Sequence, residues 1–250
     1  MNAANIITPS ITTPASAAPK TVKVSIIIPV YNEYYHVAHV IDRVLTAPMP
    51  PEVEKEVIVI DDGSTDGTTG ILQGLGQNVI KVHHSILNFG KGTAIRIGLK
   101  HATGDVIVIQ DGDTEYNPDE IASLIAPILT GQAKVVYGSR FLGKVDGMYF
   151  KYWLANRILV WMVRLLYASS ITDEATAYKA FDAGLIQGLT LRCRRFEFCP
   201  EVTAKILSRG HRIHEVPITY SARTVAQGKK IRFRDALEAA WTLVYYRFFK

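Results

Sequence analysis

The chain has 250 residues, of which 48% are apolar, and carries a formal net charge of +5 at pH 7. This length supports one sizeable core. The mild positive charge is compatible with anionic substrates or an anionic membrane surface and does not by itself indicate nucleic acid. Only Cys193 and Cys199 occur, which excludes a disulfide framework and favours free thiols in a reducing compartment. Residues 1–20, rich in Ala, Thr, Ser and Pro, are expected to form a disordered leader.

Five apolar, β-rich runs recur about every 25 residues from Val22 onward and are separated by segments with helical spacing. Continuous apolar runs that alternate with helices indicate a parallel α/β sheet covered on both faces. No apolar run reaches about 18 uncharged residues, so no transmembrane helix is predicted. The predicted strands are 22–30, 56–60, 79–84, 105–110 and 134–139, and the predicted helices are 33–46, 66–76, 91–102 and 118–130.

Polar motifs follow the predicted strands, each at or just after a carboxyl end. Ligands of open α/β sheets bind at that edge. One or two such motifs are ordinary turns, but five together favour a ligand site. The motifs are YNE (31–33), DDGSTDGT (61–68), NFGKG (88–92), QDGD (110–113) and GSR (138–140).

Three carboxylates, Asp111, Asp113 and Glu115, stand at alternate positions after the run 105–110. In an extended segment such side chains point the same way. They would repel one another unless a cation lay among them, which predicts a metal site. The alternative is a solvated turn after a strand.

The motif DDGSTDGT places Asp61 and Asp62 at a strand end, where carboxylates accept hydrogen bonds from a nucleobase or a ribose. The alternative is a turn followed by a helix that Ser64 or Asp66 caps.

The stretch GKG (90–92) is neither a P-loop nor GxGxxG. Its two glycines are expected to allow a close approach of backbones. Lys91 is either a phosphate contact or a solvated lysine at a helix start.

Two basic, aromatic segments, 151–170 and 231–250, follow the regular region. Arg157 and Arg164 are seven residues apart and share one helical face. These segments either lie in a membrane interface or pack on the core with their arginines reaching water. The predicted organisation is therefore a leader (1–20), a catalytic domain (21–230) and a C-terminal amphipathic helix (231–250).

An ordered set of motifs carries a family resemblance that spans residues 22 to about 248. The set resembles the family 2 inverting glycosyltransferases of the GT-A fold, a Rossmann-like, mostly parallel sheet with flanking helices. Within that family it is most similar to the polyprenyl-phosphate glycosyltransferases, the group that includes dolichyl-phosphate mannose synthase. The motifs are VSIIIPVYNE, VIVIDDGSTDGT, GKGTAIRIG, IQDGDTEYNP, GSR, ITDEATAYKAF, RFEFCPEVTAKILSRGHRIHEVPITY and RTVAQGKKIRFRD.

The resemblance implies a role for each matched residue. The acidic motif would bind Mg²⁺ or Mn²⁺ on the donor diphosphate, and basic residues would contact the phosphates. The implied nucleoside contacts are Pro29, Tyr31, Glu33 and Asp62, with Asp61 beside them. The implied metal ligands are Asp111, Asp113 and Glu115, with Gly112 where the family usually has alanine. The implied phosphate contact is Arg140, and Arg223 and Lys229 fit a loop that closes over the diphosphate and the acceptor. Arg140, Arg223 and Lys229 are the candidate cations for a lipid-phosphate acceptor.

The implied reaction moves a hexose from a nucleotide-sugar, a UDP-sugar more than GDP-mannose, to a polyprenyl phosphate. Catalysis is expected to involve Asp113, Arg140 and Asp173. A lipid phosphate is already an anion and needs no strong base, whereas a saccharide hydroxyl needs one. Asp173 is the candidate base, with the N-cap of a following helix as its alternative role.

The expected partners are the nucleotide-sugar, the lipid acceptor and a membrane surface. We expect the protein in the cytoplasm, at the cytoplasmic face of a membrane, where a membrane-anchoring partner protein is compatible with the sequence. A nucleic-acid-binding module, suggested by RCRR and KKIRFR, is a weaker reading because no signature of such a fold occurs.

Overall fold

A computed structural model of the chain describes residues 21–76, 80–224, 230 and 233–249. The predicted leader (1–20) and Lys229 lie outside these residues. Seven strands of the described part form one sheet. They are β1 (Val22–Val30), β2 (Val53–Asp61), β3 (Lys81–His84), β4 (Val106–Ile109), β5 (Val135–Asp146), β6 (Lys179–Asp182) and β7 (His214–Ser221).

The sheet has the strand order β3-β2-β1-β4-β6-β5-β7. The β1 strand lies between β2 and β4 and runs parallel to both, and β3 is parallel to β2. Hydrophobic clusters cover both faces. The central strands are therefore continuous apolar runs, as in Ile26, Ile27 and Ile28, which are all fully buried. The α/β fold and the five predicted strands are confirmed, with ends that shift by up to seven residues, the most at the carboxyl end of β5.

The sequence pattern missed β6 and β7, and β6 makes the sheet mixed. The β6 strand pairs antiparallel with both β4 and β5, while β7 runs parallel to β5. The four residues of β6 are too few to show a period, and Pro217 interrupts β7.

Eight helices are described. The four predicted in the first half of the chain are present, and the one expected from residue 118 opens with a 3₁₀ turn, Pro118–Glu120. The Asn117 side chain caps that turn by accepting a hydrogen bond from the Asp119 amide (3.1 Å). The helices are α1 (Val37–Thr46), α2 (Thr68–Gly74), α3 (Lys91–His101), α4 (Ile121–Leu129), α5 (Phe150–Tyr167), α6 (Ala183–Gln187), α7 (Phe198–Ser208) and α8 (Phe233–Phe248).

Helices α5, α7 and α8 pack together beside the sheet around a small cluster that includes Val163 and Leu243. Their outer faces are unusually apolar. All three tryptophans of the chain lie on α5 and α8, and Trp153, Trp161 and Trp241 are 41%, 63% and 60% exposed. None of the described helices combines the length and the apolar character needed to cross a bilayer.

Candidate active site

The carboxyl ends of β1, β2 and β4 meet at one edge of the sheet, where a cleft of about 970 Å³ opens. Ten of the residues singled out from the sequence line this cleft. They are Pro29, Tyr31, Glu33, Asp62, Lys91, Asp111, Gly112, Asp113, Glu115 and Arg223. The prediction of a ligand site at this edge is thus supported by where the side chains lie.

Hydrogen bonds join the loop after β1 to the loop after β2. Asn32 adopts a left-handed backbone conformation (φ 50°), and its amide donates to the Ser64 hydroxyl (3.0 Å). Its side-chain carbonyl accepts from the Thr65 amide (2.8 Å). The Glu33 amide donates to the Thr68 hydroxyl (3.0 Å). These small polar residues of DDGSTDGT therefore fix the position of Glu33 at the cleft.

The paired carboxylates Asp61 and Asp62 face different ways. Asp61 is buried and accepts from the Ser64 amide (3.0 Å) and the Thr69 hydroxyl (2.6 Å), with His84 Nδ1 at 3.1 Å. Burial alone would raise the pKa of Asp61, but these hydrogen bonds outweigh it and lower the pKa. Asp61 is not among the residues that line the cleft, and its expected place beside the nucleoside contacts stays a prediction.

Asp62 lies in the cleft and holds the loop before α3. Its two carboxylate oxygens accept from the backbone amides of Phe89 (3.0 Å) and Gly90 (2.7 Å). Burial raises the pKa of Asp62 in spite of these bonds. Asp62 lines the cleft, and a carboxylate oxygen can accept more than one hydrogen bond, so Asp62 is a candidate acceptor for a donor group of a ligand.

The glycines of GKG allow the close approach that the sequence predicted. Gly90 has a φ of 96°, and a Cβ atom there would lie 2.4 Å from the Arg194 carbonyl oxygen. A Cβ atom on Gly92 would lie 2.8 Å from the Arg195 carbonyl oxygen. This contact brings the segment before α7, and with it Arg195, to the mouth of the cleft.

The acidic stretch after β4 turns instead of continuing as an extended strand, so the predicted one-sided row of three carboxylates is wrong. Asp113 Oδ1 accepts from the Glu115 amide (2.9 Å), which closes a local turn. As a result each acid has its own partners. Asp111 forms an ion pair with Lys91, and Asp113 forms one with Arg223.

The Asp113 carboxyl is strongly perturbed. Burial raises its pKa to about 7, and the negative charge of Asp111 adds to the effect against the opposing charge of Arg223. Burial would lower the pKa of Lys91, but the neighbouring Asp111 raises it. Lys91 is therefore both the first residue of α3 and a cleft cation.

Arg223, just after β7, spans the cleft. Its guanidinium donates to Glu33 (3.0 and 3.3 Å) as well as to Asp113, and Lys230 donates to Glu33 (2.7 Å). The Glu115 carboxylate accepts from the Tyr220 hydroxyl (2.9 Å) and from the Arg223 backbone amide (2.8 Å). Glu115 thus anchors the chain that carries Arg223.

The donor set suits a divalent cation bound together with a substrate. Among the described residues no three His, Cys, Asp or Glu side chains gather as a metal site, which corrects the predicted set of three. Mg²⁺ commonly takes one or two carboxylates and completes its shell with water and substrate phosphates. Asp111 and Asp113 fit that pattern, whereas the Glu115 oxygens are used by Tyr220 and Arg223.

Arg140 and Asp173 form a buried ion pair and do not line the cleft. The Asp173 carboxylate accepts from Arg140 Nε (2.7 Å), Nη2 (2.7 Å) and the backbone amide (3.0 Å). Asp173 is fully buried and Arg140 is 5% exposed. No helix begins at Asp173, because the chain stays irregular until β6, so the N-cap role is wrong. The predicted phosphate and base roles of this pair stay predictions.

Sequence reasoning missed several residues of the cleft wall. The segment KYW gave only a helical pattern, and RCRR and KKIRFR gave only clusters of charge, so neither pattern indicated which residue would face a site. The missed residues are Lys151, Tyr152, Arg195, Phe196 and Lys230.

Comparisons with known proteins identify the fold and the family. Glucosyl-3-phosphoglycerate synthase from Mycobacterium tuberculosis, solved with phosphoglyceric acid, superposes with a TM-score of 0.69 and 21% identity over 90% of this chain and 80% of that one. The same enzyme has been solved with Mn²⁺, UDP-glucose and phosphoglyceric acid, with a TM-score of 0.69, 21% identity and coverage of 90% and 79%. At this identity the likeness shows the GT-A fold.

Sequence comparison goes further. A dolichol-phosphate mannosyltransferase from Pyrococcus furiosus is 30% identical over 212 residues, which are 83% of this chain and 59% of that protein. The chain thus spans about three fifths of the length of this relative. The family model for glycosyl transferase family 2 matches residues 25–186, which include the ends of β1, β2 and β4. The chain belongs to glycosyl transferase family 2.

Proposed function

We propose that this enzyme transfers a hexose from a nucleotide-sugar to a polyprenyl phosphate with inversion at the anomeric carbon and with Mg²⁺ or Mn²⁺ as cofactor. The observation that carries the proposal is the placement of Asp111 and Asp113 in one cleft with Glu33 and Asp62. Carboxylates for a nucleoside and carboxylates for a cation thus line the same cavity.

The nucleoside end of the donor is assigned to the ends of β1 and β2. Pro29, Tyr31, Glu33 and Asp62 all line the cleft at these strand ends. Carboxylate oxygens there can accept hydrogen bonds from a nucleobase N–H or from ribose hydroxyls. A UDP-sugar is the favoured donor, and the structural neighbour solved with UDP-glucose supports that choice.

The diphosphate end is assigned to Asp111, Asp113 and the cations around them. A divalent ion held there supplies a Lewis acid that offsets charge on the departing nucleotide. Lys91 and Arg223 are already in the cleft, paired with these two carboxylates. If Asp111 and Asp113 held such an ion, Lys91 and Arg223 would be placed to contact phosphate oxygens.

A phosphate acceptor fits the groups that the cleft offers. The cleft wall is rich in cations, and a phosphate oxygen attacks as an anion without a strong base. The name of the Pyrococcus furiosus relative, a dolichol-phosphate mannosyltransferase, supports a lipid phosphate. Attack from the face opposite the departing diphosphate gives inversion.

Transfer to a saccharide or small-molecule hydroxyl is the second candidate. It requires a base at the acceptor, and Asp173 was the residue expected to provide it. That carboxylate is fully buried and engages three N–H groups of Arg140. A base so placed cannot reach a hydroxyl in the cleft without breaking the ion pair, which favours the phosphate acceptor.

The acceptor's lipid chain implies contact with a membrane surface, at its cytoplasmic face. Support comes from the outer faces of α5 and α8, which expose Trp161, Leu165 and Trp241 to 60% or more. Tryptophan is enriched at the headgroup level of bilayers, and basic residues such as Arg157 on α5 attract anionic lipids. Co-sedimentation with anionic vesicles that weakens as salt rises is the expected result, and no binding at low salt contradicts it.

A transfer assay tests the proposed reaction. The enzyme is incubated with geranylgeranyl phosphate, Mn²⁺ or Mg²⁺, and in turn UDP-glucose, UDP-N-acetylglucosamine, UDP-galactose and GDP-mannose. We expect a lipid-linked sugar from one donor and its loss in Asp113→Ala. Binding of a nucleotide-sugar without transfer to the lipid phosphate, together with transfer to a hydroxyl compound, contradicts the proposal.

A further inference from the structure

We propose that Lys151 and Arg195 bind the phosphate group of the acceptor at the outer wall of the cleft. The inference rests on the proposed function and deepens it, because it assigns the acceptor site to residues other than those that the sequence indicated. Arg140, one of the residues expected there, lies in a buried ion pair outside the cleft wall.

The cations of the cleft fall into two groups, according to whether a carboxylate pairs with them. Lys91, Arg223 and Lys230 each form an ion pair with a carboxylate of the inner cleft. Lys151, in contrast, has no carboxylate within ion-pair distance among the described residues. Among the described carboxylates only that of Asp235 is near Arg195, 3.9 Å away, and the Arg195 side chain is 52% exposed. These two cations are therefore the ones that the wall offers to an added anion.

Lys151 and Arg195 come from different parts of the chain but line the same cavity as the acidic motif. Lys151 is in the first turn of α5, and Arg195 is in the segment before α7 that the glycines of GKG hold in place. The first turn of α5 contains no acidic residue, and no side chain caps it. Its partial positive charge thus adds to that of Lys151 where this turn lines the cleft.

Apolar surface adjoins the two cations. Tyr152 and Phe196, their immediate neighbours in the chain, line the cleft with them. On the next residues of α5, Trp153 and Leu154 are 41% and 44% exposed, and the preceding Phe150 is 72% exposed. A phosphate with an apolar tail would find cations inside and an apolar path outside. A small phosphate compound without such a tail would contact the cations alone.

Direct binding tests the assignment without turnover. Geranylgeranyl phosphate and glycerol 3-phosphate are titrated separately by calorimetry into the wild type and into Lys151→Gln, Arg195→Gln and the double variant. Geranylgeraniol, which lacks the phosphate, serves as the ligand control. Lys100→Gln, at an exposed position of α3 away from the cleft, is the control variant for charge. UDP binding with Mn²⁺ is measured on every variant.

We expect each single variant to bind geranylgeranyl phosphate about tenfold more weakly, because each substitution removes one charge-assisted hydrogen bond to the phosphate. The double variant should bind it more weakly still. UDP binding and the affinity for geranylgeraniol should stay unchanged. Tight binding of geranylgeranyl phosphate alone identifies a lipid acceptor, whereas tight binding of both phosphates identifies a site that reads the headgroup.

Two results keep the inference apart from the proposed function. Wild-type affinity for both phosphate compounds in the double variant, with UDP bound normally, overturns the assignment of Lys151 and Arg195 and leaves the reaction standing. Failure of the wild type to bind UDP with Mn²⁺ instead overturns the proposed function. A double variant that loses UDP binding as well shows that these residues belong to the donor site, which also overturns the assignment.

Discussion

Replacement of Asp173 by Asn separates a structural role of this carboxylate from a catalytic one. In the wild type its two oxygens accept three hydrogen bonds from Arg140, at 2.7, 2.7 and 3.0 Å. Asparagine has the same shape, but its NH₂ group would face an N–H of the guanidinium. The substitution therefore leaves a buried charge without its partner and removes little volume.

The expected loss of stability is large because the pair is shielded from water. Removing one member of a buried ion pair costs about 3–5 kcal/mol. For a chain of this size that cost lowers Tm by roughly 6–20 °C. The exposed pair Arg43–Asp119, at 2.6 Å with side chains 37% and 48% exposed, is the matched control. Asp119→Asn should change the free energy of unfolding by less than about 1 kcal/mol.

Thermal unfolding of Asp173→Asn, Arg140→Gln and the double variant forms a complete cycle. Because Arg140 and Asp173 are in contact, the double variant should lose less stability than the sum of the two single variants. At a temperature where Asp173→Asn is folded, its transfer rate should stay within about tenfold of wild type. An unchanged Tm together with a rate loss above about a hundredfold would identify Asp173 as the base and refute the structural account.

Three further predictions follow from burial and geometry. EPR should show that Mn²⁺ binding in the absence of nucleotide weakens about tenfold from pH 8 to pH 6. The reason is that the pKa of Asp113 is about 7 and only its ionised form is a metal ligand. An affinity for Mn²⁺ that does not change with pH would contradict this prediction. Burial raises the pKa of Glu174 from 4.5 to about 7, so its contribution to stability is present below pH 4.5 and is lost as pH rises through 7. Glu174→Gln should therefore exceed wild type by about 3 kcal/mol in chemical unfolding at pH 8 and by less than about 1 kcal/mol at pH 5, and an equal gap at both pH values would be inconsistent with that sign. Gly90→Ala should lower Tm more than Gly131→Ala. Both positions have a positive φ, but only at Gly90 would the added Cβ lie 2.4 Å from a backbone oxygen, that of Arg194. An equal fall in Tm for both variants would show that this contact does not add to the loss of stability.

Much of the fold could be predicted because the signals are local. The runs VSIIIPV and VIVI are covered on both faces and therefore lack polar alternation, which indicates parallel strands. The antiparallel β6 strand could not be predicted in this way. Its position between β4 and β5 depends on contacts distant in sequence, and residues 179–182 show no period.

Within the candidate site, the sequence predicted the positions of those residues that directly follow the end of a strand. Asp62, Asp111 and Asp113 reach the cleft because they follow parallel strands that end at one edge. Asp61 precedes Asp62 by one residue and so faces the other way, into the loop of Ser64. The sequence could not indicate how the chain after β4 turns, which decides where Glu115 points.

The positions of the basic residues could be predicted least well from the sequence. The composition shows many cations, but only the fold decides that Arg140 pairs with Asp173 inside the protein while Lys151 and Arg195 reach the cleft. Glu174 has the same character: it is fully buried, and neither carboxylate oxygen has a hydrogen-bond partner in the described structure. No sequence pattern distinguishes such a carboxylate from a solvated one.

Calorimetric titration of UDP with and without Mn²⁺ tests the central claim most directly, namely that Asp111 and Asp113 hold a metal-bound diphosphate in this cleft. Wild type should bind UDP at least about tenfold more tightly with Mn²⁺. Asp113→Asn should lose that increase, and Glu115→Gln should retain it because Glu115 anchors Tyr220 and Arg223 instead of a metal. An equal gain from Mn²⁺ in Asp113→Asn and wild type, or its loss in Glu115→Gln alone, would contradict the account.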